Sequence, residues 1–189
     1  MQTYLSQFGI LDKSDIEAIM PYVSRRTIKR NQFLIQEGLI CNEVFFVEKG
    51  ILRNFIVDEE GNETTYCLTF GGQGATAYSS FLSGNPTQEN IQAITDVEGL
   101  VVSKSAIERL AEANSNWMKF LKKVSELEYE RLENRIFSLL KDSPQKRYLS
   151  LLKQNPTYVQ QIPLHYLASY LGISQRHLTR LRREILLKK

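Results

Sequence analysis

A chain of 189 residues with 42% apolar and 24% charged side chains has the make-up of a globular protein, with room for one large domain plus a small one or for two modest domains. No apolar run reaches the roughly 18 residues of a membrane span, and the opening MQTYLSQFGILDKSD lacks the basic segment and apolar core of a secretory signal. The net charge of +3 is unevenly spread: from Asp142 onward nine Lys and Arg face two acids, a local +7, which leaves the first 141 residues at −4 and points to a polyanion docking at the C-terminal end.

In chain order, SDIEAIMPYV reads as a short helix with Ser14 as N-cap and Glu17 as its capping-box partner. From about Arg25 to Val102 the pattern is β-rich. EVFFVEKGILRNFIVDEEGNETTYCLTF supplies strands around Gly50 and around the Asp58–Asn62 turn, and NIQAITDVEGLVVS supplies two more. Many short strands with frequent turns favour a sandwich or barrel over a parallel sheet. The GGQG at Gly71–Gly74 lies in this β context with no helix to make a phosphate loop, so it reads as a turn. Cys41 and Cys67 have no CxxC spacing and no histidine nearby, and read as reduced core residues of a cytoplasmic protein.

After Ser103 the period changes. SAIERLAEAN reads as one short helix, and SNWMKFLKKVSELEYERLENRIFSLLK as a helix of about 27 residues without Gly or Pro, starting at Ser115. Trp117, Phe120, Val124 and Leu127 alternate spacings of three and four, the seam of a helix that pairs with a second copy of itself. Leu121, Leu132, Ile136 and Leu139 form a neighbouring face that is expected to cover the β-domain. Asp142 or Ser143 caps the next helix, with Pro144 at its first position. That helix ends at Asn155-Pro156, and Thr157–Ile162 reads as a linker.

LASYLGISQRHLTRLRREIL, Leu167 to Leu186, carries a helix-turn-helix pattern. A close helix crossing needs a small residue, supplied by Ala168, and the tight turn four residues later needs Gly172. Leu167, Leu171, Ile173, Leu178 and Leu181 hold the two helices together, and Ser174 caps the second. The side chains left outside, Gln175, Arg176, Thr179, Arg180 and Arg183, include the Arg and Gln types that read base edges in a major groove. Ser174, His177, Thr179, Arg182 and Arg183 are candidates for the DNA backbone.

By these residues the chain resembles the Crp/Fnr family of bacterial transcription regulators over nearly its whole length. FFVEKGILRNF is similar to the family's strand pair, SSFLSGNPTQENIQAI to its short helix and effector-pocket loop, and LASYLGISQRHLTRLRREI to its DNA-binding motif, especially in Bacteroidetes members. The resemblance implies base contacts, by motif position, from Gln175, Arg176 and Arg180, and it implies an α+β fold. A double-stranded β-helix or jelly roll of the cyclic nucleotide-binding kind spans residues 1–112, a dimerisation helix 113–141 and a helix-turn-helix domain 142–189. It also implies a cytoplasmic homodimer on a pseudo-palindromic double-stranded DNA site, with RNA polymerase as a protein partner and no enzymatic activity. The family's β-hairpin wing finds no counterpart after the recognition helix, and Lys188 and Lys189 are expected to replace part of its backbone contacts.

The family's cyclic-AMP binders use a glutamate and, ten residues on, an Arg-Ser pair. Here those places fall at Ala77 and at Thr87-Gln88, and no arginine occurs between Arg53 and Arg109. Cyclic AMP held in the usual way is therefore not expected, because its phosphate would lose its bidentate partner. Tyr78, Thr87, Gln88 and Arg131 are the pocket candidates for a different small-molecule effector, or they fill the space in a constitutive regulator. Two cysteines do not make an iron–sulfur site. Both histidines, His165 and His177, lie in the DNA-binding part, which argues against histidine-ligated haem and against a metal-dependent cupin enzyme. No cofactor or metal is expected. A ligand-binding β-roll that no longer reads DNA is the remaining alternative.

Overall fold

The structure is a computed structural model that describes residues 1–186. Helices α1 (Gln2–Ser6) and α2 (Lys13–Ile19) and a 3₁₀ turn (Met20–Tyr22) precede eight strands: β1 (Ser24–Ile28), β2 (Phe33–Ile35), β3 (Glu43–Lys49), β4 (Ile51–Val57), β5 (Glu63–Phe70), β6 (Gly74–Ala75), β7 (Asn90–Ala93) and β8 (Val97–Ser103). Helix α3 (Tyr78–Ser83) interrupts them between β6 and β7. Two antiparallel four-stranded sheets result, ordered β1-β8-β3-β6 and β2-β7-β4-β5. Phe45, Val47, Leu52, Ile91 and Val97 fill the space between them. The β3–β4 turn needs Gly50, which sits at φ +103° and whose Cβ would run into the Asp96 carbonyl.

The first capping box sits two residues earlier than the pattern suggests. Asp12, not Ser14, accepts from Asp15 N (2.9 Å), and the Asp15 carboxylate accepts from Asp12 N (3.0 Å). A second demand selects Asp15: it is buried, and it also accepts from the Asn114 and Asn116 amides where the long helix begins.

Helices α4 (Lys104–Ala113), α5 (Ser115–Lys141), α6 (Pro144–Gln154), α7 (Pro156–Val159), α8 (Leu164–Leu171) and α9 (Gln175–Leu186) complete the chain. The 27 residues of α5 span about 40 Å. Ser143 caps α6 with Pro144 in its first turn, as its sequence requires. The segment read as a linker folds in part into the short α7.

The two apolar faces of α5 are both covered near its start and diverge further along. Trp117 and Phe120 are buried with Leu5 and Phe46 in the core of their own chain, and Val124 packs against it, while Leu127 is half-buried. The expected dimer seam is thus occupied over its first half. Of the face expected to cover the β-domain, Leu121 packs against that core, while Leu132, Ile136 and Leu139 are exposed. Phe8, in the turn after α1, meets Phe120 edge-on at 5.4 Å and helps to cover the first half of the other face.

A second core joins the C-terminal helices to the outer face of β4 and β5. Tyr148, Leu151, Val159, Leu167, Leu171, Leu178 and Leu181 cluster with Ile51, Leu68 and Phe70. Alternation along β4 then divides its side chains: Ile51 and Arg53 face the helices, and Leu52 and Asn54 face inward.

Candidate nucleic-acid interface and ligand cleft

The turn between α8 and α9 closes as a Schellman-type C-cap. Gly172 takes φ +65° and ψ +38°, and the Ile173 N–H reaches back to the Ala168 carbonyl at 3.0 Å. The Ser174 hydroxyl accepts from His177 N at 3.2 Å, which starts α9. Leu178 and Leu181 are buried beneath α9, so Gln175, Arg176, Thr179, Arg180 and Arg183 come together on its exposed face. The Arg180–Glu184 ion pair, 3.7 Å between two exposed side chains, is weak enough to exchange for a nucleic-acid contact.

The backbone candidates divide. Ser174, Thr179 and Arg183 are exposed, although the Thr179 hydroxyl already donates to the Gln175 carbonyl at 3.0 Å. His177 is half-buried. Arg182 turns toward α6, its guanidinium carbon 5.8 Å from the Tyr148 ring centre, and its Nε is buried without a partner. Lys188 and Lys189 lie outside the described residues.

A bulge in β5 ties this unit to the roll. Asn54 pairs with Cys67 and Phe55 with Thr65, which leaves Tyr66 as the extra residue. The freed backbone is taken up from two sides: Thr65 N donates to the Ser169 hydroxyl of α8 (2.9 Å), and Arg135 Nε of α5 donates to the Tyr66 carbonyl (3.2 Å). Arg135 also donates to the Tyr170 carbonyl and lies over the Tyr170 ring at 4.0 Å, and burial lowers its pKa from the ordinary value. At the end of α5, Arg147 donates to the Leu171 carbonyl (2.8 Å) and to the Asp142 carbonyl (2.5 Å), so one cation serves two helix C-termini.

On the inner side of the same bulge, a cleft of about 900 Å³ runs between the roll and α5. Its polar lining includes Asn54, Tyr66, Cys67, Glu89 and Arg131, with Tyr78 and Ser125 bonded to each other at 2.7 Å, and it also holds the charged Lys104, Glu108, Glu128, Arg135, Asp142 and Arg147. The Glu89 carboxylate accepts from Asn54 Nδ2 at 2.6 Å and from the Tyr66 hydroxyl. Burial raises the Glu89 pKa against the pull of those two bonds. Burial and the adjacent Glu89 carboxylate also push the Tyr66 phenol well above its usual range. Burial likewise raises the Cys67 thiol, which receives Arg131 Nη2 at 2.7 Å.

Of the sequence candidates for this cleft, Tyr78 and Arg131 line it, whereas Ala77, Thr87 and Gln88 do not. Ala77 is packed in the core, Thr87 is bonded through its backbone to Leu39 and Gly38, and Gln88 is exposed. Asn54, Tyr66, Cys67 and Glu89 were missed, because the bulge that gathers them comes from strand pairing and leaves no local pattern.

Residues 25–114 match the family described as a cyclic nucleotide-binding domain. FixK2 from Bradyrhizobium japonicum superimposes with a TM-score of 0.78 at 16% identity, covering 88% of this chain and 85% of that one. A transcriptional regulator of the Crp/Fnr family from Eubacterium rectale gives 0.73 at 17%, covering 98% and 88%. The catabolite activator protein of Thermus thermophilus gives 0.58 at 21%, covering 98% and 87%. No curated protein matches the sequence.

The chain has the Crp/Fnr regulator fold. The roll, the long helix and the C-terminal helix-turn-helix are those of this architecture in its order, and the α+β reading of the sequence stands. Among the described residues no group of three or more His, Cys, Asp or Glu is placed to hold a metal, and no helix is long and apolar enough to cross a membrane.

Proposed function

We propose that this chain is a sequence-specific, DNA-binding transcription regulator that acts as a homodimer, with RNA polymerase as a protein partner in the cytoplasm. One observation carries the reading: α9 buries Leu178 and Leu181 while Gln175, Arg176 and Arg180 stand exposed side by side. Arg and Gln are the side chains that bond guanine and adenine edges bidentately. Residues 1–112 form the sensing unit in this reading, 113–141 the dimerisation helix and 142–189 the DNA-binding unit. The cleft beside α5 is the effector pocket.

The dimer seam is assigned to Tyr129, Leu132, Ile136 and Leu139. They alternate spacings of three and four, and all four are exposed in the single chain. Two-fold symmetry then sets two recognition helices on half-sites about 34 Å apart, one turn of DNA. An effector acts by binding one arrangement of these helices more tightly than another.

Selection of bound duplexes from a random DNA library, with purified protein and no added ligand, tests the proposal. A recovered pseudo-palindrome with half-sites one turn apart supports it. Salt-sensitive binding without sequence preference, with or without small-molecule extracts added, favours a β-roll that no longer reads DNA.

A further inference from the structure

Of the carboxylates that line the cleft, Glu108 pairs with Lys104 (3.9 Å), Glu128 with Arg131 and Asp142 with Lys146 (2.6 Å), and among the described residues Glu89 alone has no cation. Arg131 is paired with Glu128 at 3.4 Å, and Arg135 is engaged by backbone carbonyls. Glu89 receives only the neutral donors of Asn54 and Tyr66, and among the described residues no lysine, arginine or histidine forms an ion pair with it. Independently, Asn54 Oδ1 is buried without any hydrogen-bond partner, on a residue only 6% exposed that lines the same cleft. The amide cannot cure this by rotating, since Nδ2 would then leave the carboxylate. One carboxylate without a cation and one adjacent orphan acceptor both ask for N–H donors, and the penalty for leaving them so is high in such surroundings.

We infer that the cleft takes a small primary amine as its ammonium ion, bound between Glu89 and the amide oxygen of Asn54. An ammonium supplies both the missing charge and three donors, enough for the two acceptors at once. A hydroxyl supplies one donor and no charge. A phosphate would meet the Glu89 carboxylate head-on. The rest of the ligand is apolar in part, because Tyr4, Phe46, Leu121 and Val124 line the same cleft. This inference rests on reading the cleft as the effector pocket.

Isothermal titration of the full chain at neutral pH tests it, using n-butylamine and 2-phenylethylamine as probes against 2-phenylethanol and cyclic AMP. Saturable binding of an amine but not the alcohol is expected, and Glu89→Gln should weaken it at least about tenfold, the loss of a charge-assisted hydrogen bond. The glutamine keeps an acceptor for Asn54 and Tyr66. Should that variant fail to fold, the Asn54 side-chain amide resonances of the unaltered protein report the same event by shifting with the amine. Binding of cyclic AMP without binding of either amine overturns the inference and leaves the effector-pocket reading in place. Amine binding that Glu89→Gln does not weaken overturns it too. If no probe binds, the inference fails and ordered water is the partner of Asn54; the library selection stands apart from that result.

Discussion

Tyr166 of α8 lies flat over Arg53 of β4, with 3.6 Å between the ring centre and the guanidinium carbon, and Phe55 covers the other face at 3.8 Å. Arg53 is 1% exposed and donates to Gln92 (2.6 Å) and Glu63 (2.6 Å) around its edge. The cation therefore belongs to the roll by its hydrogen bonds and reaches the C-terminal helices through its contact with Tyr166. Ring polarisation favours a cation strongly where water is excluded. Tyr166→Leu is expected to cost about 2 kcal/mol, the value of a desolvated cation–π contact, and Tyr166→Phe almost nothing. Urea midpoints check this, and equal losses for the two variants would mean that the hydroxyl rather than the ring matters.

Gly172 makes a separate demand. Its φ of +65° is costly for an L side chain, whereas the space is not restrictive, since an added Cβ would meet Leu139 Cδ2 at an ordinary 3.4 Å. Gly172→Ala should thus cost about 1–2 kcal/mol through backbone strain alone. DNA affinity should fall only in proportion to the unfolded fraction. Denaturant unfolding beside DNA titration separates the two, and a large affinity loss at unchanged stability would show instead that the turn itself meets DNA.

The helix-turn-helix was legible because its determinants are local. Ala168, Gly172, Ser174 and the leucines all act within 15 residues of sequence, and each has one steric or hydrogen-bonding job. The burial along α5 was less legible for the opposite reason. Both faces are apolar, and one of them is met by Phe8, in the turn after α1 and more than 100 residues away. The cleft was hidden in the same manner: Asn54, Tyr66 and Glu89 meet only because β5 bulges opposite β4.

In the proposed function, base readers and backbone contacts on the exposed face of α9 carry different signatures. Arg180→Ala should weaken the preferred DNA site by about 1–3 kcal/mol and relax specificity at one base pair. Arg183→Ala should weaken all sequences about equally and lower the salt slope by about one. Arg182 is engaged near Tyr148, so Arg182→Ala should alter stability more than the salt slope. Binding titrations at several salt concentrations check all three, and a salt slope unchanged by Arg183→Ala would remove that residue from the phosphate contacts.

The buried start and exposed later stripe of α5 make the proposed oligomer testable with two substitutions. Ile136→Glu places a charge in the exposed Tyr129–Leu139 stripe and should yield a folded monomer, because the single chain does not bury this residue. Trp117→Ala removes a ring that is 2% exposed in the chain's own core and should cost about 3–5 kcal/mol. Sedimentation equilibrium and denaturant unfolding distinguish the outcomes. A folded monomer from the Trp117 variant, with Ile136→Glu still dimeric, would restore the seam that the sequence spacing first indicates.

Glu89 sets a pH dependence whose direction follows from its surroundings. Burial raises its pKa in the folded chain, so the native state holds this proton more tightly than the unfolded state. The associated stabilisation is complete below the unfolded value of about 4.3 and is lost as pH rises through the higher folded value. Glu89→Gln has no proton to lose and keeps its bonds to Asn54 and Tyr66. Relative to the native protein the variant should therefore gain stability from acidic to neutral pH and equal or exceed it at neutrality. Urea unfolding of both proteins across that range checks the sign. Parallel profiles would mean that Glu89 titrates alike in both states, and a variant that loses ground toward neutral pH would require a cation near the carboxylate.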